Sequence, residues 1–162
     1  MAANKVLEGT EAEIGQVGVV VKDLDKTMEY LTSLGFGPFI VRTVTHPSGK
    51  VRGKKGSYQI KVALSQQGPV QIELIEWQKG NTIYNEFLEK KGEGLHHIRF
   101  KVRDLNATLA KFSKMGIEVL MEDRWVEGGG IAYMGTDKIG GILMEFVQYP
   151  PDHDPAKGVR YE

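Results

Sequence analysis

The segment IGQVGVVVKDL, residues Ile14–Leu24, decides the fold, because a related segment, LHHIRFKVRDL, follows at Leu95–Leu105. When the two are aligned, VKDL matches VRDL, and Gln16 falls on His97. The first segment is short, apolar and β-branched, which is typical of a buried strand. Asp23 or Asp25 can cap a helix after the first segment, and a second helix is predicted from Asp104 to Met115. The repetition therefore predicts two related modules that each begin with a strand and a helix.

A second pair of segments repeats in the same order. VQIEL at Val70–Leu74 matches ILMEF at Ile142–Phe146, so Glu73 falls on Glu145. A carboxylate in an apolar strand is costly unless it is solvated, paired or bound to a metal. An edge strand with one wet face, or a hydrogen-bonded core histidine, would explain any one of these positions alone. Their relation in pairs instead predicts one metal site between two modules, with the ligands Gln16, Glu73, His97 and Glu145.

The remaining periodicity gives each module the order strand, helix and three strands. The fold class is therefore α+β, with two tandem βαβββ modules forming a curved antiparallel sheet around a metal-binding cleft. We place the first module at 13–79, a linking helix at 80–93, the second module at 94–150 and a tail at 151–162.

Composition excludes several classes of function. The formal net charge of zero argues against nucleic-acid or anionic-membrane partners, which require an excess of basic residues. The absence of cysteine excludes disulfides, thiolate nucleophiles and sulfur-ligated metals. An apolar fraction of 41% suits a globular core, and no run of apolar residues approaches membrane-spanning length. We therefore expect a soluble, cytoplasmic protein.

The predicted ligands consist of one imidazole nitrogen and three oxygens. This set suits one borderline or hard divalent ion per site, such as Zn, Ni, Co, Mn or Mg. Four protein ligands leave two positions of an octahedron open for substrate oxygens or water.

Two segments carry a family resemblance. FLEKKGEGLHHI at Phe87–Ile98 and GGILME at Gly140–Glu145 are similar to motifs of methylmalonyl-CoA epimerases. The chain thus resembles the vicinal oxygen chelate superfamily, which includes glyoxalases, bleomycin-resistance proteins and extradiol dioxygenases. The resemblance covers nearly all of Ile14–Pro150 and implies that His97 binds metal and that Glu145 is both ligand and base.

The resemblance also implies a choice of functions. The first is a metal-dependent isomerase that removes a proton α to a carbonyl, on an acyl-CoA or related thioester, with Glu73 and Glu145 flanking the carbon. The second is a glyoxalase I-type lyase, since Gln16 stands where epimerases have histidine and eukaryotic-type glyoxalase I has glutamine. Val20 and Trp77, however, replace the arginine and asparagine with which that enzyme holds glutathione. The third possible function is a non-catalytic protein that binds a small molecule. Because members of this superfamily often dimerise, we also expect a homodimer.

Substrate contacts are predicted in two places. The strand Tyr58–Leu64 alternates, and we expect Gln59 and Lys61 to face the cavity, with Lys61 acting as an acid or pairing with an anionic substrate group. Its alternative is a lysine with a buried stem and a solvated head. The segment 46–56 is predicted to be a loop, either simply solvated or binding coenzyme A phosphates. Its cations are Lys50, Arg52, Lys54 and Lys55.

Overall fold

The computed structural model describes residues 10–138 and 140–153. Its first four strands are β1 (Thr10–Val21), β2 (Ile40–Val51), β3 (Lys54–Gln67) and β4 (Val70–Lys79). The other four are β5 (Gly94–Val102), β6 (Val119–Arg124), β7 (Gly130–Met134) and β8 (Leu143–Gln148). The predicted tail at 151–162 lies outside the described residues from 154 onward.

Three helices complete the described part of the chain: α1 (Leu24–Ser33), α2 (Ile83–Lys91) and α3 (Leu105–Lys114). The two aspartates of the repeated segment cap α1 and α3. The carboxylate of Asp23 accepts from the Lys26 amide, and that of Asp104 accepts from the Ala107 amide. Thr82 caps α2 through a capping box with Asn85. Of these helices, none has the length and apolar character needed to cross a membrane.

The eight strands close into a barrel in the order β1-β4-β3-β2-β6-β7-β8-β5. The order strand, helix, three strands occurs once before α2 and once after it. The sheet is mixed, because β1 pairs with β4 and β5 pairs with β8 in parallel. The expectation of an entirely antiparallel sheet is therefore wrong. In each half the chain passes through the first strand, the helix and then three successive strands. The last of these lies next to the first strand and runs parallel to it.

The segment 46–56 is a hairpin rather than a long loop. Strands β2 and β3 pair up to Val51 opposite Lys54, so that only Arg52 and Gly53 form the turn. The Arg52 amide donates to the Leu120 carbonyl, and β2 pairs briefly with β6. The expectation of a loop is therefore wrong, because the glycines and lysines of this segment continue two paired strands to the tip of the hairpin.

Apolar residues pack in three groups that leave part of the barrel interior open. One group fills one part of the barrel and the space under α2. The second packs α3 against the outside of the sheet, with Phe112 on Phe146, and the third packs α1 through Leu24 against Leu74. Because the helices cover the outer face, the inward-facing side chains of β1, β4, β5 and β8 are free to form a site.

Candidate active site

The four predicted ligands lie on four consecutive strands around the barrel, β4-β1-β5-β8. Gln16, His97 and Glu145 are at most 1% exposed, and the side chain of Glu73 is 12% exposed. The His97 Nε2 atom lies 3.2 Å from Glu145 Oε2 and 3.5 Å from Glu73 Oε2. Carboxylates from the two halves of the chain therefore meet at one imidazole nitrogen.

Gln16 faces the same cavity as Glu73. Its amide nitrogen donates to Gln71 Oε1 over 2.7 Å, and its own Oε1 is buried without a hydrogen-bond partner. Gln71 lies directly opposite Gln16 on the neighbouring strand. This contact orients the amide so that its oxygen is the atom left for a ligand.

Arg99 is the residue of this site that sequence reasoning missed. Its Nε lies 2.6 Å from Glu145 Oε2 and its Nη2 lies 3.0 Å from Oε1, so the guanidinium binds both carboxylate oxygens. Nη2 is also 4.0 Å from Glu73 Oε2. The signal was available, because Arg99 follows His97 by two positions on one strand and so shares its face. A buried arginine needs a partner for the same reason as a buried carboxylate.

The strand register explains these contacts. Across β1 and β5, Gly18 lies opposite His97, and Gln16 lies opposite Arg99. Along the parallel pairs, Gly18 lies beside Glu73, and Arg99 lies beside Glu145. The two halves therefore place their polar residues in matching positions, except that one half has a glycine where the other has an arginine.

Gly18 makes room for the His97 ring. A Cβ at position 18 would lie 1.9 Å from His97 Cε1, far inside van der Waals contact. A side chain on Gly18 would thus displace the imidazole that the two carboxylates approach.

The charges of the site stabilise one another. Burial disfavours the charged form of Glu145, but Arg99 and His97 outweigh it and lower the pKa of Glu145 to about 2. Burial likewise opposes a charge on His97, yet Glu145 and Glu73 raise its pKa. The pKa of Arg99 stays well above its ordinary value against the effect of burial, chiefly because of Glu145. The site is an ion-pair network that is buried at His97 and Glu145 and borders the cavity at Glu73 and Arg99.

His96 positions the His97 ring. It is 1% exposed and lies among Tyr84, Phe87 and Tyr133. Burial, with the charge of His97, lowers the pKa of His96 to about 3, so the ring is neutral. The two Nδ1 atoms are 3.1 Å apart. We assign His97 as the donor, which directs its Nε2 toward the carboxylates, as outer-shell partners of ligating histidines do.

The donor chemistry of the site fits a divalent ion. Gln16 Oε1 is a buried atom without a hydrogen-bond partner and could donate a lone pair to a metal, and His97 Nε2, which lies against the two carboxylates, could do so once it has lost its proton. In the residues described, however, no group of three or more His, Asp or Glu side chains stands in a metal-holding arrangement. In this arrangement Arg99 engages both oxygens of Glu145. The chain therefore has side chains that can ligate a metal, but one of them, Glu145, is hydrogen-bonded to the Arg99 guanidinium.

A cavity of about 1020 Å³ opens above this network. Its volume is that of a small-molecule site. Tyr84 donates to the hydroxyl of Tyr133 over 2.8 Å, and burial raises the pKa of both tyrosines, so they remain neutral in the wall. The lining also includes Ile60, Val62, Trp125, Tyr149, Gln16, Glu73 and Arg99.

The expectation that Gln59 and Lys61 face the cavity is wrong. The alternation of β3 buries Tyr58, Ile60 and Val62 instead, and neither predicted residue lines the cavity. Lys61 Nζ lies 2.8 Å from a carboxylate oxygen of Asp25, next to α1 on the outside of the barrel. The alternation of side chains along a strand predicts which residues share a face, but it does not predict which face turns toward the barrel interior.

The hairpin cations lie outside the metal-ligand group. Arg52 sits in the turn with φ of 48° and is tied to Glu86 of α2 at 2.9 Å, and to Glu118 at 3.7 Å. Lys54 begins β3 and is exposed. Neither residue lines the cavity.

A second polar group faces the cavity, and no pattern in the sequence would have found it. His46 is 2% exposed and lines the cavity, with its Nδ1 atom 3.3 Å from Asp123 Oδ1. The Tyr58 hydroxyl donates to the other oxygen of Asp123 at 2.5 Å, and its ring stacks on His46. His46 and Tyr58 are paired across the β2–β3 hairpin, and barrel closure brings Asp123 of β6 to them.

Comparison with known proteins agrees with this fold. Residues 15–133 match the family model of the glyoxalase/bleomycin resistance protein/dioxygenase superfamily, and the chain belongs to that superfamily. This is the vicinal oxygen chelate superfamily that the sequence motifs indicated, and its structural neighbours include methylmalonyl-CoA epimerases.

Three relatives illustrate the range of similarity. An uncharacterised Bacillus subtilis protein, YqjC, is 34% identical over 94 residues, which are 56% of this chain and 66% of that protein. A Streptomyces coelicolor methylmalonyl-CoA epimerase variant, solved with 2-nitronate-propionyl-CoA, is 27% identical with a TM-score of 0.64 over 88% of this chain and 98% of that one. A hypothetical Bacillus halodurans protein is 20% identical with a TM-score of 0.62 over 88% and 97%, and shows the fold alone.

Proposed function

We propose that this chain is a metal-dependent isomerase that removes and returns a proton on the carbon α to the carbonyl of an acyl-CoA or similar thioester. One observation carries the proposal: Glu73 and Glu145, from different halves of the chain, meet at His97 Nε2 beside the cavity. The 27% identity with a methylmalonyl-CoA epimerase supports the thioester as substrate class.

We infer that one divalent ion is held by Gln16, Glu73, His97 and Glu145, the ion being one of Zn, Ni, Co, Mn or Mg. When bound, such an ion polarises the substrate carbonyl as a Lewis acid and acidifies the neighbouring C–H. The orphaned Gln16 Oε1 and the approach of both glutamates to His97 Nε2 support this assignment.

In this proposal the two glutamates exchange the proton. Glu145 removes it from one face of the carbon, and Glu73 returns a proton to the other, which inverts the centre. A base must lie within hydrogen-bond reach of the C–H. The two glutamates come from different halves of the chain and from separate strands, so that each could face a different side of the carbon. Tyr84 and Tyr133, neutral in the cavity wall, exclude water from this region.

The hairpin supplies candidate contacts for the coenzyme A phosphates. Lys54 is exposed at the tip and has the charge for this role, whereas Arg52 would have to share its guanidinium with Glu86. We retain both as proposed substrate-binding residues, and Gln59 and Lys61 have no place in this role.

A glyoxalase I-type lyase is the second candidate, favoured by glutamine at position 16. Two observations count against glutathione as its co-substrate. Val20 is fully buried in the core, and the indole nitrogen of Trp77 donates to the Gly80 carbonyl over 2.7 Å, so neither offers glutathione a polar contact. A non-catalytic binding protein is the third candidate. A homodimer, a cytoplasmic location and the division into modules at 13–79 and 94–150 stay predictions.

The test is α-proton exchange in deuterium oxide. Metal-loaded protein is incubated with methylmalonyl-CoA and a panel of other CoA thioesters, and deuterium incorporation is followed by NMR. We expect metal-dependent exchange of at least one thioester. Lys61→Ala is the control, since Lys61 lies outside the cavity, and it should retain exchange.

The outcomes separate the candidates. No exchange, combined with efficient turnover of the methylglyoxal–glutathione hemithioacetal, would make the protein a lyase. No turnover of either, with tight thioester binding by calorimetry, would identify a binding protein.

A further inference from the structure

Arg99 places a permanent positive charge among the proposed metal ligands. Its guanidinium is bonded to both oxygens of Glu145 and lies 4.0 Å from Glu73. The matching position in the other half is Gly18, which has no side chain. The permanent positive charge of this site therefore comes from the second half of the chain alone.

A divalent ion and this guanidinium require the same carboxylate atoms. Ligand bonds to such ions run about 2.0–2.6 Å and use carboxylate lone pairs. Both oxygens of Glu145 already accept from Arg99, and burial at 0% exposure leaves water no part in the contact. Two cations that share buried carboxylates also repel strongly, since the local dielectric is low.

There is space for the guanidinium to move away. Arg99 lines the cavity of about 1020 Å³, and its side chain is 16% exposed, more than any of the other buried charges that it contacts. A guanidinium that already borders this cavity has its open side there rather than among the carboxylates. Glu145 has no such freedom, because it is fully buried beside Tyr133 and Arg99.

We propose that Arg99 is a resident cation that competes with a divalent metal ion for Glu145, so that metal binds only when the guanidinium turns away into the cavity. The proposal rests on the proposed metal site. It explains how four donors can be present while no group of the described residues stands in a metal-holding arrangement. It also makes Arg99 a determinant of metal affinity rather than a passive counter-ion.

The experiment measures metal affinity directly. Metal-free wild type, Arg99→Ala, Arg99→Lys and Arg42→Ala are titrated with Co²⁺ and with Zn²⁺ by calorimetry, and Co²⁺ binding is followed by visible absorption. Arg42 lines the same cavity but is exposed, so Arg42→Ala removes one positive charge without touching Glu145.

We expect Arg99→Ala to bind both ions more tightly, by about 5- to 150-fold, the usual range for a coupling between two binding events. Arg99→Lys should lie between wild type and Arg99→Ala, because an ammonium cannot bind both carboxylate oxygens at once. Arg42→Ala should match wild type.

Any other result contradicts either the competition between Arg99 and the metal ion or the metal site itself. Equal or weaker affinity in Arg99→Ala, with normal binding by wild type, overturns the competition and leaves the metal site standing. No binding by wild type and none by Arg99→Ala overturns the metal site itself, and the competition with it. If Arg99→Ala fails to fold, Arg99→Lys decides, and an affinity no higher than wild type overturns the proposal.

Discussion

At the scale of single residues, the site is a set of buried charges that depend on one another. Glu145 is fully buried and touches His97 at 3.2 Å and Arg99 at 2.6 Å. Removing one member of such a network leaves the others without a partner at a cost of about 1–3 kcal/mol or more. Substitutions that keep the shape of the side chain are therefore the best way to test the role of each residue in this network.

Glu145→Gln is expected to separate chemistry from metal binding. The amide keeps the shape and one ligating oxygen but cannot take a proton, so α-proton exchange should fall roughly 10²- to 10⁴-fold while metal remains bound. His97→Ala should lose metal and exchange together. Metal analysis and exchange are measured on both variants, and near-wild-type exchange by metal-loaded Glu145→Gln would move the base to Glu73.

Gly18→Ala is expected to disrupt the site through its geometry alone. The new Cβ would collide with His97 Cε1, so the ring must shift, metal affinity should fall, and unfolding should be easier by about 1–3 kcal/mol. Gly15→Ala on the same strand is the matched control, since a Cβ there meets nothing within 4 Å. Denaturant unfolding and metal titration check both, and a Gly18→Ala protein that binds metal like wild type would contradict the close fit of the ring against β1.

At the scale of elements, the repeated aspartates start the helices that cover the barrel. Asp104 accepts from the Ala107 amide at 2.9 Å, and α3 then packs Phe112 on Phe146, the residue after Glu145 on β8. The cap fixes where the helix begins, and the helix holds the outer face of a strand whose inner face carries the site.

Asp104→Ala is expected to lower the free energy of unfolding by about 1 kcal/mol, the usual value of an N-cap. Asp104→Asn, which caps equally well, should stay near wild type. Urea denaturation measures both, with metal affinity expected to be unchanged because the cap lies outside the barrel. Equal losses in the two variants would show that the carboxylate charge, rather than the cap, is what matters.

At the scale of the whole molecule, the proposed ligands connect the two halves of the chain. Gln16 and Glu73 come from strands before α2, and His97 and Glu145 come from strands after it. The strands β1 and β5 form the seam on this side of the barrel. An ion bound by all four would hold the seam closed.

Metal should therefore raise the melting temperature. At a free concentration 100 times its dissociation constant, a ligand that binds only the folded protein stabilises it by about 2.7 kcal/mol. For a chain of this size that corresponds to a rise of roughly 5–10 °C. Calorimetry with metal, and with chelator, checks the shift. His97→Ala should show none, and an equal rise in that variant would place the ion elsewhere.

The sequence by itself determined the repeated order of elements, the helices that follow the two repeated segments, and the strands that carry Gln16, Glu73, His97 and Glu145. Local patterns suffice for these features, because caps and strand periodicity depend on residues only a few positions apart. The same patterns indicated the superfamily that the comparisons confirm. The role of the four residues as ligands stays a prediction.

Only the tertiary structure decided the rest. The folded barrel turned Ile60 and Val62 inward rather than Lys61, and strand pairing within each half made β1-β4 and β5-β8 parallel and set Arg99 beside Glu145. These outcomes depend on the register between strands far apart in the chain. Alternation along a strand defines two faces but carries no information about which face the neighbouring strands will bury.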